Sequence, residues 1–130
     1  MSEAKIPWYS MNSNLALEEH DPVDFTQAVK IAEGYLARGG LKFKTGEEAI
    51  AATTFGFSRS SAEFIEICVH GVAHISFKFE APDTSTPWFL KPWKGVFQHQ
   101  EELGSRETLV QRIEAFYTHS TDELVRRYKS

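Results

Sequence analysis

The stretch FIEICVHGVAHISFKFE, residues 64–80, constrains this chain more than any other. Ile65, Ile67 and Val69 alternate with Glu66, Cys68 and His70, and beyond Gly71 the apolar set resumes at Ala73, Ile75, Phe77 and Phe79. A period of two puts each set on one face of a β-strand, and the central glycine marks a reversal, so the stretch predicts an antiparallel hairpin. Opposed residues in such a hairpin share a face. Both apolar sets are odd-numbered, so they stay together only if paired numbers sum to an even value. A three-residue connection, His70-Gly71-Val72, meets that condition. It pairs Val69 with Ala73, Ile67 with Ile75 and Ile65 with Phe77, unless a bulge shifts the register. On the other face it sets Cys68 opposite His74 and Glu66 opposite Ser76.

Helical signals flank this hairpin. Asp21 as cap, Pro22 at the first helical position, and Phe25, Val29, Ala32 and Leu36 on one stripe predict a helix over 22–38, with Gly34 as a weak point inside it and Gly39-Gly40 as its stop. Thr45 with Glu48 has capping-box spacing and predicts a brief helix from Gly46 to about Ala52. Alternating Phe55 and Phe57 predict a strand from Thr53 to Arg59, turning at Ser60-Ser61. After Gly104-Ser105, the positions Leu109, Val110, Ile113, Phe116 and Tyr117 follow a helical period. A second capping box, Ser120 with Glu123, opens a last helix with Leu124, Val125 and Tyr128 inward. Shorter strands are expected at Leu41 to Lys44 and Val96 to Gln100. Residues 1–20 show no sustained period and are expected to be irregular, apart from a helical turn near Asn14 to Glu19.

Helix, strands, then two helices make an α+β domain. The expectation is an antiparallel sheet of four to five strands, with an N-terminal helix and two C-terminal helices packed on one face. No helical crossover separates the strands between residues 53 and 80, which argues against a parallel sheet. At 130 residues the chain has room for one core, and ten Phe, four Tyr and three Trp supply large side chains to fill it.

The same composition excludes several classes of function. A net charge of −4 opposes a phosphate-tracking surface, and the basic cluster Arg126, Arg127 and Lys129 is explained by its place in the last turn of a helix. No apolar run approaches the ~18 residues of a membrane span. Cys68 is the sole cysteine, so no disulfide framework exists. With no basic-then-apolar leader at the N-terminus, the expected location is the cytoplasm. Phosphate-binding loops, dinucleotide fingerprints, paired-cysteine metal motifs and nucleophile elbows are absent, so no cofactor or metal is expected.

Two groups of residues stand out. The first is the segment APDTSTPWFLKPWKG, residues 81–95, too rich in Pro, Ser and Thr for a regular element and yet aromatic. Trp88, Phe89, Trp93 and Phe97, edged by Lys91 and Lys94, have the composition of a protein-binding surface, although such aromatics also serve to pin a long connection to its own sheet. The second is Cys68 with His74, His70 and Glu66. A thiol beside an imidazole can become a nucleophile, but a strand cysteine is more often packing, and three candidate ligands fall short of a structural zinc site. Asp83, His99, Glu101 and Glu102 read as solvated surface charge. Arg59 follows a strand that turns it inward, where Glu63 or Glu80 must pair with it.

The function expected from these features is that of a small partner-binding protein whose partner is another protein. By analogy of size and plan, a bacterial immunity protein or a secretion chaperone belongs to that class. The alternatives are a small enzyme or small-ligand pocket protein using the Cys68/His74 face, and a homodimer joined through an edge strand.

Overall fold

The computed structural model describes residues 4–39, 41–71, 73–82 and 95–129. Its elements are β1 (Ile6–Met11), β2 (Leu17–Val23), α1 (Phe25–Leu36), α2 (Gly46–Thr53), β3 (Thr54–Ser60), β4 (Glu63–Gly71), β5 (His74–Pro82), β6 (Val96–Leu103), α3 (Arg106–Thr118) and α4 (Thr121–Lys129). The strands form one antiparallel sheet of six in the order β2-β1-β3-β4-β5-β6. The α+β class is as expected, with two strands more at the N-terminus than the periodicity signalled. No helix among the described residues is long and apolar enough to cross a membrane.

The hairpin β4–β5 obeys the parity argument. Val69 pairs with Ile75, Ile67 with Phe77 and Ile65 with Phe79, and all six are buried. The register, however, is two residues further along than the three-residue turn implied, because the ladder shifts between Val69 and Gly71 and Gly71 pairs with His74. Cys68 therefore faces Ser76, not His74, and Glu66 faces Lys78, not Ser76.

Odd-numbered residues of β3, β4 and β5 point into the core, where they meet Ala28, Ala32 and Tyr35 of α1, Leu109, Ile113 and Phe116 of α3, and Leu124 and Val125 of α4. Aromatic packing fixes the layers: Tyr35 stacks on Phe55 at 4.4 Å, and Phe79 meets the edge of Phe116. Rings this large contribute about 1.5–3 kcal/mol each through burial. The helix α2 instead closes one end of the sheet, where the hydroxyl of Thr53 lies 3.7 Å from the Cys68 sulfur.

The helix ends follow local chemistry. Ser120 and Glu123 cap α4 reciprocally, amide to carboxylate at 3.1 Å and amide to hydroxyl at 3.3 Å. The Ser120 amide first, then His119, holds the Glu123 carboxyl down to about 2. Thr45 caps α2 as expected, its hydroxyl accepting from the Glu48 amide. The first helix begins later than Asp21 and Pro22 suggested. Asp24 is its cap, in a reciprocal box with Gln27, and Pro22 belongs to β2. Pro22 sits in an outermost strand next to a register shift, a place where a missing N–H costs little. Residues 1–20, expected to be irregular, hold β1 and most of β2, and Asn14 to Glu19 form a turn and strand rather than helix. Residues 41–44 are not a strand.

Candidate functional site

With α1, α3 and α4 all on one face, the opposite face of the sheet carries no described helix beyond α2 at its Thr54–Cys68 end. The residues of that face follow from register. Tyr9 pairs with Glu19 and with Gly56, Gly56 with Glu66, and Glu66 with Lys78. Further along, Lys78 pairs with Gln100, Glu80 with Gln98 and Ser76 with Glu102. Glu19, Glu66, Glu80 and Glu102 thus share this face with Lys78, the single ammonium among its described strand positions.

Two hollows lie on it. One, of about 510 Å³, is lined by Pro7, Trp8, Tyr9, Leu17, Glu19, Phe64 and Glu66, and by Ser58, Arg59, Ser60 and Ser61 of β3 and the turn after it. The other, of about 360 Å³, is lined by Glu66, Cys68, Ser76, Lys78, Gln100 and Glu102. Glu66 borders both, so the two form one track across the sheet.

The first hollow has a fixed floor. Tyr9 is buried against the sheet, and its hydroxyl donates to the carbonyl of Ile65 at 3.0 Å. A Cβ on residue 56 would collide with the Tyr9 ring and with the Ile65 carbonyl, so glycine is required there. Burial first, then the fields of Glu66 and Glu80, push the Tyr9 phenol far above its ordinary value. The carboxylates of Glu19 and Glu66 line the hollow, and Arg59 lines it too.

In the second hollow the cysteine has neighbours other than the expected ones. The Thr54 hydroxyl donates to the Cys68 sulfur at 3.5 Å, and His70 Nδ1 lies 4.0 Å from that sulfur. His70 Nε2 is 2.7 Å from Ser76 Oγ, which donates to Glu102 at 2.9 Å. Thiol, imidazole, hydroxyl and carboxylate thus form a line across β4, β5 and β6. His74 is exposed at the turn and takes no part in it. No group of three or more His, Cys, Asp or Glu residues with metal-binding geometry occurs among the described residues.

Of the aromatic surface expected at 88–97, Trp88, Phe89, Lys91, Trp93 and Lys94 lie outside the described residues, as does Asp83. Phe97 is placed on the helix-covered face. It packs 6.2 Å from Phe79, with the Lys129 ammonium 5.8 Å above its ring.

Arg59 turns inward and pairs with Glu63, one of its two expected partners, at 2.8 Å. Its guanidinium also donates to the carbonyls of Phe116 and His119 at the end of α3, and it stacks on the Phe116 ring at 4.5 Å. Glu63, buried, accepts in addition from the Thr121 hydroxyl. This is a structural clamp between the β3–β4 turn and the α3–α4 junction. Glu101 and His99, read as solvated, form a similar clamp. Arg112 donates to both Glu101 oxygens at 2.9 and 3.0 Å, and His99 stacks on Tyr128 at 4.3 Å.

Periodicity did not reveal the Tyr9 hollow, because its walls come from strands far apart in the chain. The one local hint was Gly56 between two phenylalanines, a glycine inside a strand pattern that marks a close approach. No known protein family, curated protein or solved structure matches this chain.

Proposed function

We propose that this chain acts by binding another protein through the face of its sheet opposite α1, α3 and α4. The observation that carries this reading is the track of two adjoining hollows on that face, apolar beside Tyr9 and carboxylate-rich toward Glu102. Monomeric proteins rarely leave an apolar surface open beside a polar rim unless something docks there. A nucleic acid is disfavoured by the excess of carboxylates. Self-pairing at the sheet edges is disfavoured because β2 carries Glu18, Glu19 and Asp21, and β6 carries Glu101 and Glu102. An immunity protein that blocks a toxin and a chaperone that escorts a secreted protein both fit this plan, since each works by covering a surface rather than by chemistry.

A photo-crosslinking residue placed at 58, 66 or 100 in the native host tests the reading, with position 114 on the exposed side of α3 as control. Adducts to a protein partner from the sheet positions and none from 114 are expected. Adducts from 114 alone, or none from the sheet, overturn it.

The alternative of a small enzyme draws on the Cys68–His70–Ser76–Glu102 line, in which His70 replaces His74 beside the thiol. A nucleophilic cysteine requires thiolate at neutral pH, and it would show as rapid, selective alkylation of Cys68.

A further inference from the structure

The hollow over Tyr9 combines three features. Its walls are largely apolar and aromatic, from Pro7, Trp8, Leu17 and Phe64, with Leu17 60% exposed, and Arg59, which also lines it, is already paired with Glu63. The carboxylates of Glu19 and Glu66 line it, and neither makes a hydrogen bond or ion pair with another described residue. The Tyr9 ring lies against Gly56, 7% exposed and with its hydroxyl already committed to Ile65, so it offers no free donor, and the half-buried Phe64 ring has the Lys78 ammonium 5.8 Å from its centroid.

We propose that this hollow receives an arginine side chain presented by the protein partner, the guanidinium lying against the Phe64 wall and pairing with Glu66 and Glu19. The inference rests on the reading that the partner docks on this face, and it names the chemistry of its anchor. Arginine fits better than lysine because a planar, weakly hydrated guanidinium stacks on aromatic faces and forks onto a carboxylate, whereas an ammonium is a strongly hydrated point charge. The molecule already uses this kind of contact at the hollow's margin: Arg59 stacks on Phe116 and pairs with Glu63. An anionic or purely apolar anchor would instead bury two carboxylates without partners, which is costly. At about 510 Å³ the hollow has room for residues flanking the arginine as well.

The probes are three short blocked peptides of identical sequence whose central residue is arginine, lysine or citrulline, titrated into the full chain and followed by amide chemical shifts. The arginine peptide is expected to produce saturable shifts at Tyr9, Gly56, Phe64 and Glu66. The lysine peptide should bind more weakly, and citrulline, which keeps the shape and loses the charge, about tenfold more weakly still. Glu66→Gln with Glu19→Gln should reduce arginine binding about tenfold while leaving the thermal midpoint within a few degrees, because both residues are partly or fully exposed. Equal binding of the citrulline peptide, no saturable shift at these amides, or unchanged binding in the double variant overturns the proposal. Face amides that shift on Trp88→Ala or Trp93→Ala, and not with the arginine peptide, also overturn it and assign the hollow to the chain's own 83–94 segment. Failure here is distinct from failure of the docking surface itself. Crosslinks from positions 58, 66 and 100 with no arginine selectivity would retain the surface and discard the anchor.

Discussion

The ring of Tyr9 fills the space that a side chain at position 56 would need, so the tyrosine and the glycine act as one unit of the sheet. Gly56→Ala should therefore destabilise by about 1–3 kcal/mol, as overpacking does, and more if the neighbouring Ile65 carbonyl cannot yield. Tyr9→Phe keeps the ring and deletes the hydrogen bond to Ile65, for about 1 kcal/mol. Urea denaturation checks both, and a neutral Gly56→Ala would contradict the packing described.

The Arg59–Glu63 pair should behave as a buried clamp rather than a surface ion pair. Glu63 is 8% exposed and Arg59 24%, and the arginine also satisfies carbonyls at the end of α3. Glu63→Ala leaves that guanidinium without its carboxylate and is expected to cost about 3–5 kcal/mol. Arg59→Lys should rescue little of an Arg59→Ala loss, since an ammonium cannot fork onto two carbonyls and a carboxylate together. Full rescue by lysine in denaturation experiments would show that charge alone matters.

Glu101 gives the chain one defined sensitivity to acid. Hydrogen bonding to Arg112, and secondarily to His99, holds its carboxyl below the ordinary value. A depressed folded-state pKa means stability that is present above the unfolded value of about 4.3 and lost as pH falls through the lower folded value. Glu101→Gln should thus cost about 0.5–1 kcal/mol at neutral pH and little below the folded value. Stability curves of the two proteins that stay parallel down to pH 3 would contradict this.

Cys68→Ser should change stability by no more than about 1–2 kcal/mol, because the hydroxyl can take up the contacts to Thr54 and His70. Partner binding should persist in that variant. Rapid alkylation of Cys68 at neutral pH, with loss of function in both Cys68→Ser and His70→Ala, would favour the enzymatic alternative instead.

Much of this architecture is written in local pattern. Parity alone placed Ile65, Ile67, Ile75 and Phe77 inside, and the serine and threonine caps located α2, α3 and α4. The hairpin register was not legible, because it depends on an irregularity between Val69 and Gly71 that no residue type dictates. The strand β2 was missed for a different reason. LEEHDPV is an exposed edge with little to bury, so its residues carry no hydrophobic period, and the partnership of β1 with β3 skips over two helices. That partnership builds the hollow over Tyr9. The candidate site was therefore the part of the molecule least visible in the sequence.

The central claim is that the sheet face beside Tyr9 is open in the isolated chain and closed by a partner. Hydroxyl-radical footprinting of the chain, once purified and once in its host cells, measures this directly. Leu17 and Phe64 should be oxidised in the purified protein and protected in cells, while Leu41 and Ile50, exposed elsewhere, react alike in both. Protection of Leu17 and Phe64 already in the purified chain, or equal oxidation in cells, would contradict the account.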